Sequence, residues 1–303
     1  MIVFVSTEQH RYTNSALAKE PGSGVTLASY DELFSLEYLP LAAYVFTDLD
    51  RLSAEKLEQA SKSFRMLRKN GLPAYNDPAR FLSRYGVLRR LHREGINDFN
   101  AYRVDSLEQP LRWPVFIRGD GDHKRPLSDL LHSQEELDLA IAQAVADGAP
   151  LSTMLIIEYA AEEVRPGLYR KLSVFRIGDA MVGFTCVHDN QWVVKYGKPG
   201  IAPPDLYEDE YRMVRDNPYA EEMRRVFELI GLEYGRVDFG LVGGRPQIYE
   251  VNSNPDVKLN PRSNGIELRD RSNELFKQNY LAAVAALDFE PKAEPASAEA
   301  DPG

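Results

Sequence analysis

The residues of this chain best suited to chemistry lie in the stretch RVDFGLVGGRPQIYEVNSNPD, residues 236–256. Arg236 and Asp238 stand two apart before Gly243-Gly244, and Glu250 and Asn252 stand two apart after it. Side chains alternate along a strand, so each pair shares one face. The stretch reads as a hairpin, and its register decides whether the two faces coincide. A two-residue Gly-Gly turn would set Asp238 opposite Tyr249 and Glu250 opposite Val237. A three-residue loop over 243–245 instead sets Arg236 opposite Asn252, Asp238 opposite Glu250, Val237 opposite Val251 and Phe239 opposite Tyr249. That register separates apolar from polar, and the hydrophobic pattern fixes register, so the three-residue loop is expected. Two carboxylates directly opposite each other destabilise a bare sheet. A bound divalent cation would remove the conflict, since hard oxygen ligands suit magnesium. An exposed polar strand face carrying no metal would show the same pattern.

Several elements must position that hairpin. Over the first 75 residues, Ile2–Val5 and Tyr44–Thr47 read as short apolar strands. A helix over Ser53–Asn70 is capped by Ser53, stapled by Leu52 and Leu57, striped by Leu57, Ala60, Phe64 and Leu67, and closed by Gly71. Strand and helix alternating in this way predict a parallel sheet. Residues Asn76–Arg93 read as one arginine-rich helix stopped by Gly95. Val115–Arg118 reads as a strand before the loop GDGDHKRPLSDLL. Ser133 and Glu136 predict a capping box for a helix carrying Leu137, Ala140, Ile141, Ala144 and Val145 up to Gly148. Strands are expected over Met154–Tyr159, Lys171–Ile177, Ala180–Val187 and Gln191–Lys195, with a turn at Gly178-Asp179. PGIAPPD reads as loop. Asn217-Pro218 reads as the cap and first position of a helix with Met223, Val226, Phe227 and Ile230 inward, ended by Gly231. FEPKAEPASAEADPG, 289–303, has almost nothing to bury and reads as a disordered tail.

Composition sets the class. The 303 residues are 44% hydrophobic and 27% charged with a net charge of −10, which suits a globular protein and argues against a general nucleic-acid surface. Cys186 is the only cysteine, so no intrachain disulfide forms, as in a reducing compartment. No basic start or long apolar run suggests a signal peptide or a membrane span. The expectation is a soluble cytoplasmic protein that binds neither nucleic acid nor membrane.

With these elements in place, R-x-D, a short hairpin and E-x-N-x-x-P, here Arg236, Asp238, Glu250, Asn252 and Pro255, resemble the metal-binding end of the ATP-grasp superfamily. Three upstream matches add to the resemblance. Arg84 stands where the family has a basic residue, usually lysine, in a helix some way before a Gly-Ile pair, here Gly95-Ile96. Arg118 in PVFIRGD stands for the lysine on the α- and β-phosphates. Gly119 and Gly121 belong to the flexible loop beyond it, which lacks the P-loop spacing. The strand ending Ile156-Ile157-Glu158-Tyr159-Ala160 resembles the hinge over the adenine. Lys171 falls where the family often has an acid for the ribose, a departure that Glu162 or Glu163 could make good. Lys195 in QWVVK falls at the family's γ-phosphate lysine.

The resemblance implies an α/β fold, α+β in its catalytic part: an ATP-grasp region over 76–288 preceded by a small parallel-sheet domain over 1–75. It implies ATP with two magnesium ions, or manganese, on Asp238, Glu250 and Asn252, and cations Arg84, Arg118, Lys195 and Arg236 around the phosphates. It further implies ADP-forming ligation of a carboxylate to an amine through an acyl phosphate that Arg236 steadies, on a small-molecule or peptide substrate. A small-molecule kinase, or a nucleotide-binding regulatory module without turnover, are the alternatives. Cys186, in an apolar run, is expected to pack rather than react. His10, Arg11 and Tyr12, after the first strand, sit where parallel sheets often bind ligands.

Overall fold

Four parallel strands open the chain. Ile2–Ser6 (β1) lies between Val25–Ser29 (β2) and Ala43–Phe46 (β3), and the short Ala74–Tyr75 (β4) extends the sheet to the order β2-β1-β3-β4. The structure, a computed structural model, describes residues 1–106, 108–121, 124–195, 197–263 and 265–289. Among these are thirteen strands and eight α-helices. The parallel sheet is the one expected. Its helices are Ser15–Lys19 (α1), Tyr30–Ser35 (α2) and Ala54–Lys69 (α3). Ser53 caps α3 by accepting the Lys56 N–H at 3.2 Å, and Ala60, Phe64 and Leu67 are buried.

The expected helix over 76–93 is broken. Asn76 adopts positive φ, and its side chain bonds Phe46 and Tyr234 carbonyls at 2.9 and 2.8 Å, tying the first sheet to the hairpin sheet. Asp77 then caps a single turn at Pro78–Arg80, and Ser83 caps the true helix Arg84–Arg93 (α4). Short polar side chains that bond nearby N–H groups end one helix and begin the next.

An antiparallel sheet of Ala101–Arg103 (β5), Val115–Gly119 (β6) and Met154–Glu158 (β7), ordered β5-β7-β6, packs against Gln134–Ala146 (α5). Ser133 caps α5 as expected, but the Glu136 carboxylate accepts the His132 N–H rather than that of Ser133.

The third sheet holds the hairpin. Glu163–Arg165 (β8), Leu168–Ile177 (β9), Ala180–Gly183 (β10), Val187–Asp189 (β11), Tyr234–Val242 (β12) and Arg245–Asn252 (β13) form it in the order β10-β9-β12-β13, and β8 and β11 also pair with β9. The expected strand over 180–187 splits because Gly183 lies against a helix. A Cβ there would stand 2.4 Å from the Met213 carbonyl. Gln191–Lys195 forms bends, not a strand.

Helix Pro204–Asp216 (α6) was not anticipated: the proline-rich PGIAPPD places Pro204 at its first position, where a missing N–H costs nothing. Asn217 closes α6 at positive φ instead of starting the next helix, so Ala220–Ile230 (α7) begins later than expected. The unanticipated Glu267–Ala285 (α8) packs on α6. One apolar cluster unites Val5, Phe46 and Phe64 with Val174, Phe227 and Phe239, so the core runs unbroken across residue 75. Phe289 is half-buried against it, and 290–303, most of the expected tail, lie outside the described residues. No helix among the described residues is long and apolar enough to cross a membrane.

Candidate functional site

The hairpin closes with a two-residue turn, not three. Val242 pairs with Arg245, and Gly243 and Gly244 both take positive φ, 55° and 78°. Left alone, that turn would send Glu250 to the face away from Asp238. A bulge at Tyr249 restores the phase, with Phe239 opposite Ile248 and Asp238 opposite Glu250. The polar register therefore stands as expected, while the loop length and the Phe239–Tyr249 pairing do not. The bulge also re-aims Tyr249, whose hydroxyl donates to the Ala160 carbonyl at 3.0 Å across the ring's approach to Gly240. A Cβ at Gly240 would lie 2.2 Å from that hydroxyl, so only glycine fits there.

The carboxylates facing each other are neutralised by the protein itself. Glu250 accepts Arg84 Nη2 at 3.1 Å on one oxygen and Arg118 Nη2 at 3.2 Å on the other. Arg84, at the first position of α4, also donates to the Gly119 carbonyl and, at 3.1 Å, to that of Asp120. It thereby pins the start of the glycine loop over the hairpin. Arg118 projects from β6, and the Asp120 carboxylate takes the Tyr85 N–H at 2.8 Å at the foot of α4.

Asp238 is buried and more fully occupied. One oxygen accepts Ser173 Oγ at 2.9 Å and Arg236 Nε at 2.7 Å; the other accepts Lys171 Nζ and Arg236 Nη2, both at 3.1 Å. Burial alone would raise its pKa, but the charges of Arg236 and Lys171 outweigh that and hold it below the ordinary aspartate value. The repulsion that pointed to a metal is thus relieved without one. Four cations converge on these two carboxylates, and Asp50 and Asp120 line the same hollow as Arg84 and Glu250.

Asn252 ends β13, with its Oδ1 accepting the Asn254 N–H at 2.8 Å. From there the chain crosses the carboxyl end of the parallel sheet. Thr13 Oγ1 and Asn14 Nδ2 donate to Asn254 Oδ1 at 2.8 and 2.9 Å, and the Leu49 N–H reaches Ser253 Oγ at 3.3 Å. His10 stands beside this crossing, its Nδ1 3.3 Å from the buried Asp48 carboxylate, whereas Arg11 is spent on Glu8 and Glu32.

The hinge differs from its expected form. Glu158 is buried, and its carboxylate takes Asn100 N–H at 2.9 Å, Tyr102 OH at 2.9 Å, Leu111 N–H at 2.9 Å and Arg112 N–H at 3.0 Å. It braces the 100–112 segment rather than facing outward to a base edge. The Tyr159 N–H bonds the Pro114 carbonyl at 2.9 Å. Beside the hinge, Trp192 packs on Phe116 at 4.9 Å and on Tyr159 at 5.8 Å. Sequence reading passed over Trp192, although Phe116 and Arg118 share one face of β6.

Lys171 turns to Asp238, not to a ribose position, and its substitutes are engaged locally. Glu162 accepts the Gly243 N–H at 2.6 Å and Glu163 the Gly167 N–H at 2.8 Å. Ser173 was also missed; the signal was its place two residues beyond Lys171, on the face of β9 that pairs with Asp238. Lys195 lies half-buried in the bend segment, and Gly121 in the glycine loop. His123 falls outside the described residues. Cys186 is fully buried, and burial followed by the charge of Glu210 pushes its thiol pKa well up, so it packs and offers no nucleophile.

No protein-family model and no curated protein matches the sequence. Solved structures do match. The D-alanine–D-alanine ligase of Bacillus anthracis aligns at TM-score 0.54 and 11% identity over 95% of this chain and 97% of that one. The ATP-grasp ligase PsnB complexed with a minimal precursor aligns at 0.52 and 12% over 94% and 98%. A RimK domain ATP-grasp protein from Sphaerobacter thermophilus aligns at 0.50 and 13% over 93% and 98%. With its parallel sheet, antiparallel sheets and hairpin in this order, the chain has the ATP-grasp fold.

Proposed function

We propose that the protein is an ATP-dependent, ADP-forming ligase that joins a small-molecule or peptide carboxylate to an amine. The observation that carries this reading is the convergence of Arg84, Arg118, Lys171 and Arg236 on the hairpin carboxylates, within an ATP-grasp fold. A triphosphate needs such converging cations, and phosphoryl transfer is catalysed chiefly by positioning and electrostatics. The fold's likeness to the two ligases above supports the same reading.

The residues also suit magnesium in part. Glu250 and Asn252 place a carboxylate and an amide oxygen on one strand face, and the Glu250 side chain keeps 19% of its surface exposed. When bound, the ion would supply neutralisation of phosphate charge. Arg84 and Arg118 would release Glu250 in part to hold phosphate oxygens, for which a guanidinium offers a bidentate fork. Arg84 would carry the glycine loop with it. Backbone groups at Tyr159 and Ala160 would meet the base, and Lys195 the γ-phosphate. Arg236, fixed by Asp238, would steady the acyl phosphate while the amine displaces inorganic phosphate from it.

Hydroxylamine distinguishes the reactions. It displaces phosphate from an acyl phosphate and leaves a hydroxamate. Incubated with ATP, magnesium, hydroxylamine and a metabolite extract, the protein is expected to yield ADP and a new hydroxamate detectable by mass. A phosphoester without hydroxamate would show a kinase, and ADP no higher than in the protein-free control would contradict turnover.

A further inference from the structure

We propose that Lys171 does the work of one cation at this site, so that the chain loads its nucleotide with a single divalent ion, held at Glu250 and Asn252. This rests on the nucleotide reading above and departs from the two ions that the sequence resemblance implies. The reason lies at Asp238. An ionised carboxylate offers about four lone-pair sites. All four are filled here, by Ser173 Oγ and Arg236 Nε on one oxygen and by Lys171 Nζ and Arg236 Nη2 on the other.

The arrangement is built into the sheet and is not an accident of one rotamer. β9 lies between β10 and β12, and its pairing sets Ser173 directly against Asp238, with Lys171 two residues along on the same face. Lys171 keeps only 16% of its side chain exposed and Asp238 only 5%, so the pair is screened from water and the ammonium has little else to serve. Arg236 is fixed from behind by the rings of Phe175 and Phe184, each 5.9 Å from its guanidinium, which holds its bidentate grip on Asp238. An ion entering at Asp238 would have to displace one of these charged donors and then sit beside it. Two like charges would then share a buried site, an arrangement that each disfavours in the other.

Glu250 differs. It stands at the rim, and its two arginine partners come from α4 and β6, elements that a bound anion can engage in its place. The lysine that appeared misplaced at a ribose position in the sequence is then a fixed internal cation. It supplies permanently the positive charge that a second ion would bring.

Manganese serves as the probe. Full-length protein is titrated with Mn2+ in the presence of a non-hydrolysable ATP analogue, and free Mn2+ is counted by its paramagnetic resonance signal. The expected count is one ion per chain for the wild type and for Lys171→Arg, and two for Lys171→Gln, whose neutral amide leaves room and charge for the second. Two ions of affinity within tenfold of each other in the wild type would overturn the proposal, as would one ion in a folded Lys171→Gln. Should Lys171→Gln fail to fold, the wild-type count decides alone. Failure of the analogue to bind would overturn the nucleotide reading itself, and this proposal with it; two ions within tenfold of each other with the analogue bound would overturn this proposal only.

Discussion

Alanine in place of Glu250 or of Asn252 is expected to lower the rate of ATP-dependent turnover by on the order of 10²–10³-fold or more, as when one preorganised electrostatic partner of a transition state is lost. Both residues sit on the polar face of β13, while Ile248 and Val237 behind them are buried, so the core stays packed. The stability cost of the two changes should differ. The sequence, with Asp238 opposite Glu250, suggests that removing Glu250 relieves repulsion and stabilises the protein. The ion pairs reverse that expectation. Without Glu250, Arg84, whose side chain is only 7% exposed, and Arg118 face each other without their shared carboxylate. Glu250→Ala should therefore destabilise by about 1–3 kcal/mol, and Asn252→Ala by less. Steady-state ADP formation and thermal unfolding of both variants test this. Rates near wild type in either would remove the assignment of Glu250 and Asn252 to the ion.

The largest effect on stability is expected at Glu158. Its carboxylate joins three backbone N–H groups and the Tyr102 hydroxyl from both sides of the 100–112 segment. Glu158→Ala removes the acceptor shared by all four donors, leaving the Leu111 N–H only the Tyr102 hydroxyl at 3.4 Å, in a site where Glu158 itself is only 2% exposed. Leaving buried donors without an acceptor costs about 1–3 kcal/mol each, and a loss of about 3–5 kcal/mol in all would lower Tm by roughly 5–8 °C in a chain of this size. Glu158→Gln should fall between, since one amide oxygen still accepts while its NH2 meets donors. Denaturant unfolding of both variants measures the cost. A Glu158→Ala protein within about 1 kcal/mol of wild type would show that this network is not what holds the hinge.

The polar register of the hairpin was legible because only one phase sorts Val237, Phe239 and Val251 from Arg236, Asp238 and Glu250. The device that produces it was not. A bulge and a two-residue turn give the same phase beyond Asp238 as a three-residue loop, and alternation cannot tell them apart; the pairing of Val242 with Arg245 and of Phe239 with Ile248 separates them only in three dimensions. Arg84 and Arg118 were found as cations, since motif spacing marks them. Their pairing with Glu250 was not, because α4 and β6 reach the hairpin from 166 and 132 residues away. Glu158 was found and assigned outward, whereas the 100–112 segment that turns it inward carries no periodic signal. Helices α6 and α8 were missed for a plainer reason. Proline-rich flanks around α6, and the weakly amphipathic run of α8 with its buried Ser272, hide helices that tertiary packing stabilises.

The cations around Glu250 and Asp238 are expected to form a site for ATP with a divalent ion. Thermal unfolding with and without ATP and magnesium tests it most directly, because ligand bound only to the native state stabilises by mass action. At a hundredfold excess over Kd the gain is about 2.7 kcal/mol, a rise in Tm of about 4 °C for a chain of this size. Arg118→Ala should lose most of that rise while its own unliganded Tm changes little. A Tm that stays unchanged at millimolar ATP and magnesium, with no heat of binding in calorimetry, would show that these residues do not bind the nucleotide.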